Sequence, residues 1–153
     1  MPPEGESELA AIRARAEARA REEGVPFRGF LLPTEAWALF KEGEIALVDT
    51  RTLAERDLIG YVPGSVSIEW YDYPAKTRND AFLAQLRAKV EPDRAVAFLC
   101  RSGVRSKLAA TLAAANGYAA AFDVLKGFEG DKSASGQRVV NGWRVDGLPW
   151  RQD

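Results

Sequence analysis

The chain contains a single cysteine, Cys100, in the stretch AFLCRSGVRSKLAA over residues 97–110. Cys100 ends an apolar run, and two arginines, two serines and a glycine follow it within six positions. The thiolate is the nucleophilic form of cysteine, and nearby cationic side chains stabilise it relative to the thiol. These residue types therefore predict nucleophilic sulfur chemistry at Cys100. The alternative is that Cys100 is a small buried hydrophobe that packs at the end of a strand.

Histidine is absent from all 153 residues. This excludes the Ser-His-Asp triad, the Cys-His pair and most zinc sites. We therefore expect backbone amides and arginine side chains to activate Cys100, with no metal and no organic cofactor. The single cysteine also excludes an internal disulfide, in agreement with a reducing, cytoplasmic compartment.

The segments that must position Cys100 alternate between strand and helix patterns. Short apolar or alternating runs predict strands at 30–32, 45–49, 65–70, 95–99 and 122–125. Helices are predicted at 7–23, after Thr34, after Thr52 with Glu55 completing a capping box, from Asn79 or Asp80, and at 105–115 before the C-cap Asn116-Gly117. This alternation predicts an α/β fold with a mainly parallel sheet.

Two further segments flank this pattern. Residues 1–24 have a thin apolar stripe, and we interpret them as an N-terminal helical extension of a domain over 25–153. The polar, glycine-rich segment at the C-terminal end is predicted to be irregular, with Trp143 and Trp150 packing it onto the domain.

The predicted elements place Cys100 at the carboxyl end of a buried strand, with a loop leading to a helix N-terminus at about Arg105. Ligands of open α/β sheets bind outside the carboxyl ends of the strands. Helix N-termini present free N–H groups, and a short loop that contains glycine can turn its amides towards an anion. We therefore expect this loop to stabilise a thiolate and to bind a small anionic substrate above the sulfur.

Composition gives no sign of a nucleic-acid or membrane partner. The net charge is -1, no run of about 20 apolar residues occurs, and the N-terminal segment is charged throughout, unlike a secretory signal. Any preference for anions must therefore be local, and a cytoplasmic location is expected.

Four segments together resemble the single-domain rhodaneses, a family of sulfurtransferases. They are CRSGVRS (100–106), ALVDTRTLAERDLIGYVPGSVSIEW (46–70), FDVLKGFEG (122–130) and NGWRVDGLPW (141–150), and the resemblance covers about residues 28–152. It implies a rhodanese-like three-layer α/β fold with a mainly parallel five-stranded sheet, to which the N-terminal helix is added. Tyr61 is a departure, because the family often has histidine at that place in the Gly-x-x-Pro-Gly turn.

The resemblance also implies a mechanism. Cys100 would take the outer sulfur of thiosulfate or a related donor as a persulfide and pass it to cyanide or to a thiol or protein acceptor. Cys100 and Arg105 would be catalytic, while Asp49 and Arg51 would stabilise the scaffold. The residues implied to bind substrate are Arg101, Ser102, Gly103, Val104 and Ser106.

Two other functions remain open. One is a phosphatase or an arsenate reductase on the same fold. Cysteine phosphatases use a Cys-x5-Arg loop, whereas here Arg105 follows Cys100 by five positions and Ser106 stands in the next one. The shorter loop favours sulfur over the bulkier phosphoryl group. A persulfide carrier that hands sulfur to a partner protein, through the N-terminal helix, is the third possibility. The physiological donor, acceptor, pathway and oligomeric state stay open.

Overall fold

A computed structural model describes residues 4–152, and the side chains from residue 8 onwards. Five helices and five strands alternate through most of this part of the chain. The helices are α1 (Glu4–Glu23), α2 (Pro33–Lys41), α3 (Leu53–Ile59), α4 (Phe82–Lys89) and α5 (Val104–Ala115). The strands are β1 (Gly29–Leu31), β2 (Ala46–Asp49), β3 (Val66–Ser67), β4 (Val96–Leu99) and β5 (Ala121–Val124).

The five strands form one sheet in the order β1-β5-β4-β2-β3, and every neighbouring pair is parallel. This confirms the predicted α/β class. All residues of β4 and β5 are buried, as expected for parallel strands with both faces covered. Cys100 directly follows β4, so it lies at the carboxyl edge of a central strand.

Two buried clusters fill the two faces of the sheet. Phe82 and Leu86 of α4 and Ala109 of α5 pack with Phe98 on one face. On the other face, Leu39 of α2 and the fully buried Trp143 pack in one cluster with strand residues. The result is three layers, helices, sheet and helices, around the strand that ends at Cys100.

Helix α1 covers the edge strand β1. Its stripe Ile12, Ala16 and Ala20 is buried, as the sequence pattern predicts. Gly29 of β1 lies so close that a Cβ on it would meet the backbone of Ala16 at 2.8 Å. Arg19 of the same helix donates a hydrogen bond to the Phe30 carbonyl at 2.8 Å, so α1 contacts the sheet through both apolar and polar groups.

Two predicted element starts are wrong, and a third is confirmed to within one residue. Helix α2 begins at Pro33 after the N-cap Leu32, so Thr34 lies inside the helix, because proline is favoured at the first helical position. Helix α4 begins at Phe82, because the Asn79 side chain accepts a hydrogen bond from the Ala81 amide and forms a turn there. Helix α5 begins at Val104, one residue earlier than predicted, with Gly103 as its N-cap.

Strand β3 is shorter than its alternating pattern over 65–70 predicts. It is an edge strand that pairs with β2 alone, through Val48 with Val66 and Asp49 with Ser67. Beyond Ser67 the chain bends, and Trp70 turns inwards to meet the Phe82 ring with centroids 5.1 Å apart. Ile68 and Trp70 still donate backbone hydrogen bonds to Asp49 and Thr50, but β2 ends at Asp49, so no strand continues beside them.

The segment after β5 has neither helix nor strand within the described residues, as predicted. Trp150 packs edge-on against Phe128, and backbone hydrogen bonds join Tyr61 and Arg151 in both directions at 2.8 Å. In residues 4–152, none of the helices has the length and apolar character needed to cross a bilayer.

Candidate active site

The sulfur of Cys100 has two polar neighbours. The amide of Gly103 donates a hydrogen bond to Sγ at 3.0 Å, and the Ser106 hydroxyl lies 3.2 Å from Sγ. Gly103 has φ of 114°, a conformation that glycine adopts without steric cost and that aims its amide at the sulfur. Because Gly103 also caps α5, the sulfur lies at the positive end of the helix dipole. An anionic sulfur is stabilised by this arrangement.

The loop is fixed from below by the turn that follows β5. The Cys100 carbonyl accepts a hydrogen bond from the Phe128 amide at 2.7 Å, and the Arg101 carbonyl accepts from the Glu129 and Gly130 amides at 2.9 and 3.1 Å. With their carbonyls bonded to this turn, Cys100 and Arg101 have a fixed peptide orientation. Gly127 allows this approach, because a Cβ there would lie 2.7 Å from the carbonyl carbon of Arg101.

Arg105 projects from the first turn of α5 and forms a two-point ion pair with Glu55. Its Nη1 and Nη2 atoms lie 2.6 and 2.9 Å from the two Glu55 carboxylate oxygens. The guanidinium also lies over the Tyr71 ring, 4.8 Å from its centroid. These contacts on two sides hold Arg105 in one orientation at the site.

The charges of this pair reinforce each other. Burial alone would raise the pKa of Glu55, but hydrogen bonds and charge from Arg105 lower it to about 2. Burial alone would lower the pKa of Arg105, but Glu55 raises it above its ordinary value, and negative charge at Cys100 acts in the same direction. Both groups therefore stay ionised at neutral pH.

Arg101 lies on the exposed side of the loop. Its side chain is 46% exposed and pairs with the buried Glu129 at 3.2 Å. Arg101 and Arg105 border one cavity of about 290 Å³. The other lining residues are Thr52, Ala54, Glu55, Leu58, Ile59, Tyr71, Tyr73, Lys76 and Glu129. The predicted arginines thus come together, but each has a carboxylate partner, so the cavity is less positive than the sequence suggests.

The remaining predicted loop residues are distributed on other sides of the sulfur. Ser102 and Gly103 line a second cavity of about 350 Å³, which also borders α1. The Val104 side chain is 69% exposed, so this residue contributes to the loop through its backbone. Ser106 is fully buried beneath the sulfur, inside α5.

Asp49 and Arg51 stabilise the scaffold, as the sequence interpretation proposed. Both side chains are fully buried and form an ion pair at 2.8 Å. Arg51 also donates a hydrogen bond to the Gly60 carbonyl at 2.7 Å and lies over the Phe128 ring at 4.2 Å. The pair connects the end of β2 to the same turn that fixes the cysteine loop.

Sequence reasoning missed several residues around the site. Glu55 was assigned only to a capping box, and Tyr71 and Tyr73 belong to a segment that the strand pattern did not extend to. Asp123 was interpreted only as part of a strand, although a carboxylate inside an otherwise apolar run is a signal that could have identified it. Within residues 4–152, no three His, Cys, Asp or Glu side chains are grouped so that they could hold a metal ion.

An all-parallel α/β sheet with a cysteine loop between its central strand and a helix N-terminus defines the class of protein. The family model of the rhodanese-like domain matches residues 32–134, about two thirds of the chain. The chain belongs to the rhodanese-like domain family.

Two relatives are at least 38% identical to this chain. The chain is 38% identical over 76 residues to the uncharacterized protein RP600 of Rickettsia prowazekii, a match that spans 50% of this chain and 55% of RP600. The crystal structure of Rv0390 from M. tuberculosis is 41% identical, with a TM-score of 0.74, over 81% of this chain and 97% of Rv0390.

Two more distant structures share the fold. The polysulfide-sulfur transferase homodimer of Wolinella succinogenes is 18% identical, with a TM-score of 0.56, over 96% of this chain and 86% of its own. RPA3614 from Rhodopseudomonas palustris, described as a possible tyrosine phosphatase, is 24% identical, with a TM-score of 0.55, over 94% of this chain and 93% of its own. At these identities the likeness shows the fold alone.

Proposed function

We propose that this protein is a sulfurtransferase that carries sulfur as a persulfide on Cys100. The observation that carries the proposal is the hydrogen bond from the Gly103 amide to Sγ at 3.0 Å, at the N-terminus of α5. A hydrogen-bond donor aimed at a buried sulfur favours an anionic sulfur there. Membership of the rhodanese-like family, which includes sulfurtransferases, supports the same chemistry.

The first half-reaction loads the protein. The Cys100 thiolate attacks the outer sulfur of thiosulfate or a related donor, and a new S–S bond forms as the donor's own S–S bond breaks. With thiosulfate as the donor, sulfite leaves with the electron pair of the broken bond. As the family resemblance implies, the loop amides from Arg101 to Ser106 stabilise the charge on the terminal persulfide sulfur.

The arginines attract the donor without trapping the product. Arg105 lines the cavity, and its ion pair with Glu55 fixes the orientation of its guanidinium. The Arg101 side chain is partly exposed, so its guanidinium can bind an anion in place of Glu129. Because each guanidinium already has a carboxylate partner, its attraction for an anion is moderated. A doubly charged leaving group can therefore dissociate.

The second half-reaction unloads the protein. Cyanide or the thiolate of an acceptor attacks the terminal sulfur, the persulfide S–S bond breaks, and the Cys100 thiolate is regenerated. No metal or organic cofactor takes part in either half-reaction as we propose it.

The test is an intact-mass measurement after incubation with thiosulfate and removal of excess donor. We expect a gain of one sulfur atom that cyanide removes, and no gain in Cys100→Ser. If thiosulfate gives no adduct, polysulfide is the next donor to use, since both donors carry transferable sulfane sulfur. A free, alkylatable Cys100 that takes no sulfur from either donor would contradict the proposal.

Phosphatase activity is the second candidate, because RPA3614 is described as a possible tyrosine phosphatase. The Cys-x4-Arg spacing argues against it, since the loop between Cys100 and Arg105 is one residue shorter than the phosphatase loop. Hydrolysis of an aryl phosphate that Cys100→Ser abolishes, with no sulfur adduct, would favour this candidate. A persulfide that forms but transfers slowly to cyanide and small thiols would instead indicate a sulfur carrier.

A further inference from the structure

Asp123, on β5, has no part in the mechanism above. Its side chain is 2% exposed. Among the residues that the structure describes, its Oδ1 atom has no hydrogen-bond partner. An ionised carboxylate buried in this way is costly, and a buried carboxyl that is not part of a structural ion pair needs a different explanation.

Strand β5 packs against α5, and this packing places the Ser106 hydroxyl beside the Asp123 carboxyl, with which it interacts. The same hydroxyl lies 3.2 Å from the sulfur of Cys100. The Cys100 thiol, the Ser106 hydroxyl and the Asp123 carboxyl therefore lie in one buried row. They belong to the end of β4, to α5 and to β5. A serine hydroxyl both donates and accepts hydrogen bonds, so it can take a proton on one side and release its own on the other.

Charged groups around Asp123 come from several elements. Burial raises the pKa of Asp123 to about 7, while the Ser106 hydroxyl and the charge of Lys107 act in the opposite direction. Asp123 also borders the cavity of about 350 Å³. The charged side chains that line this cavity are Arg19, Glu22 and Glu23 of α1, Lys107 of α5, and Lys126 after β5.

We propose that Cys100 and Asp123 share one proton through the Ser106 hydroxyl, and that the proton resides on Asp123 when the sulfur is a thiolate. The Cys100 proton passes to Ser106 Oγ, the Ser106 proton passes to the Asp123 carboxylate, and the S–H bonding electrons stay on sulfur. The total charge of the three groups does not change. The thiolate then attacks the donor as described above. Asp123 touches no reacting atom and acts through Ser106.

This inference uses the proposed function only to name Cys100 as the nucleophile. In a chain without histidine, the Asp123 carboxylate does what an imidazole does elsewhere, since it accepts the thiol proton inside the protein and becomes a neutral acid beside the thiolate. It also keeps a second negative charge away from the sulfur, and that matters because a dianionic donor has to approach it.

The test measures the protonated carboxyl of Asp123 directly, by its infrared carbonyl band, across the pH range. The band is assigned by its loss in Asp123→Asn and its retention in Asp93→Asn, a matched change at an exposed aspartate. Thiolate is followed in the same samples by ultraviolet absorbance against Cys100→Ser. We expect wild-type protein at neutral pH to have thiolate and protonated Asp123 together.

The decisive comparison is the pH at which the Asp123 band disappears. Without the thiolate charge, Asp123 should ionise about one pH unit lower or more in Cys100→Ser. The wild-type chain with Cys100 capped as a neutral methyl disulfide should show the same shift in the pH at which the Asp123 band disappears. This sample controls for any effect of the Cys100→Ser substitution on folding. Equal titration of Asp123 in all three samples would overturn the proposal.

Loading with thiosulfate gives a second readout. In the wild type the loading rate should fall above neutral pH, because ionised Asp123 repels the thiosulfate dianion. In Asp123→Asn the loading rate should not fall in this pH range. An unchanged alkaline limb in Asp123→Asn would contradict the shared proton. If the wild type takes no sulfur from any donor, the proposed function fails, while the infrared result still decides the state of Asp123.

Discussion

At the residue scale, the sulfur of Cys100 depends on an amide and a hydroxyl, and these two groups differ in what they can do. The Gly103 amide stabilises negative charge at 3.0 Å but cannot accept a proton. The Ser106 hydroxyl at 3.2 Å can relay a proton but cannot keep it at neutral pH. A histidine would both stabilise the thiolate and accept the thiol proton. In this chain the proton needs a separate acceptor beyond Ser106, and we propose that Asp123 is that acceptor.

Gly127 has no side chain, and this allows the turn after β5 to lie directly against the cysteine loop. Alanine at this position would combine a strained φ of 60° with overlap against the Arg101 carbonyl. We expect Gly127→Ala to destabilise the protein by about 2–4 kcal/mol and to reduce persulfide loading at least tenfold, because the loop must shift. Denaturant unfolding and intact-mass loading measure the two effects.

Gly136 provides the matched control. It has a similar positive φ of 84°, but nothing lies within 4 Å of an added Cβ. Gly136→Ala should cost only the backbone term of about 1–2 kcal/mol and leave loading unchanged. Equal loading in the Gly127 and Gly136 variants would mean that the turn after β5 does not position the loop.

At the element scale, α3 and α5 are joined across the site by Glu55 and Arg105. Helix α3 has no buried residue of its own, so polar contacts determine its position, among them the ion pair of Arg56 with the buried Asp49 at 2.9 Å. Thr52 caps it with a hydrogen bond at 3.1 Å, and Glu55 extends to the Arg105 guanidinium. The pair thus fixes a catalytic candidate and a helix together.

This pair gives a pH-dependent contribution to stability. The pKa of Glu55 is lowered to about 2 in the folded protein, so its stabilisation is fully present above its unfolded pKa and is lost as pH falls towards 2. Glu55→Gln should therefore lower the free energy of unfolding by about 1–3 kcal/mol at pH 7. The difference from wild type should shrink below pH 4.5 and vanish near pH 2, measured by urea unfolding at each pH.

The exposed pair of Arg13 and Glu44 is the control for this experiment. Its side chains are 40% and 43% exposed, so Glu44→Gln should change stability by less than about 0.5 kcal/mol at every pH. A Glu55→Gln difference that stays constant from pH 7 to pH 2 would show that the charge of Glu55 is not its source.

Sequence patterns predicted local features of these elements better than contacts between them. The capping box of Thr52 and Glu55 is confirmed, because it depends on residues three positions apart. The ion pair of Glu55 with Arg105 joins positions 50 apart and has no local signature. Strand β3 was predicted too long for the same reason, since its end coincides with the end of its pairing partner β2 at Asp49.

The buried site residues show the same limit. Cys100 was identified from its neighbours in sequence, and the amide of Gly103 follows from the loop and helix pattern around it. Asp123 lies in a different segment, and only the parallel pairing of β4 with β5 brings that segment alongside Ser106. Pairing between distant strands is a property of the packed sheet, and a single sequence does not specify it locally.

At the scale of the whole molecule, the packed core extends to residues that precede the family match. The match begins at residue 32, after α1 and β1. However, β1 pairs with β5, and α1 covers β1 with three buried side chains. The strand that bears Asp123 therefore has β4 on one side and β1 on the other, and α1 closes the outer edge of that arrangement.

A deletion of residues 1–24 would therefore remove buried side chains of the core as well as any surface that binds a partner protein. A pair of single substitutions is a better test of whether α1 belongs to the core. Ala16 is fully buried against Gly29, whereas Ala10 on the same helix is exposed. Ala16→Leu should destabilise the protein by about 1–3 kcal/mol through overpacking, and lower Tm by several degrees, because the backbone of β1 leaves no space. Ala10→Leu should change Tm by less than about 2 °C. Calorimetry of both variants decides the question, since equal Tm values would mean that α1 can leave the sheet and act as a separate arm for a sulfur-accepting partner.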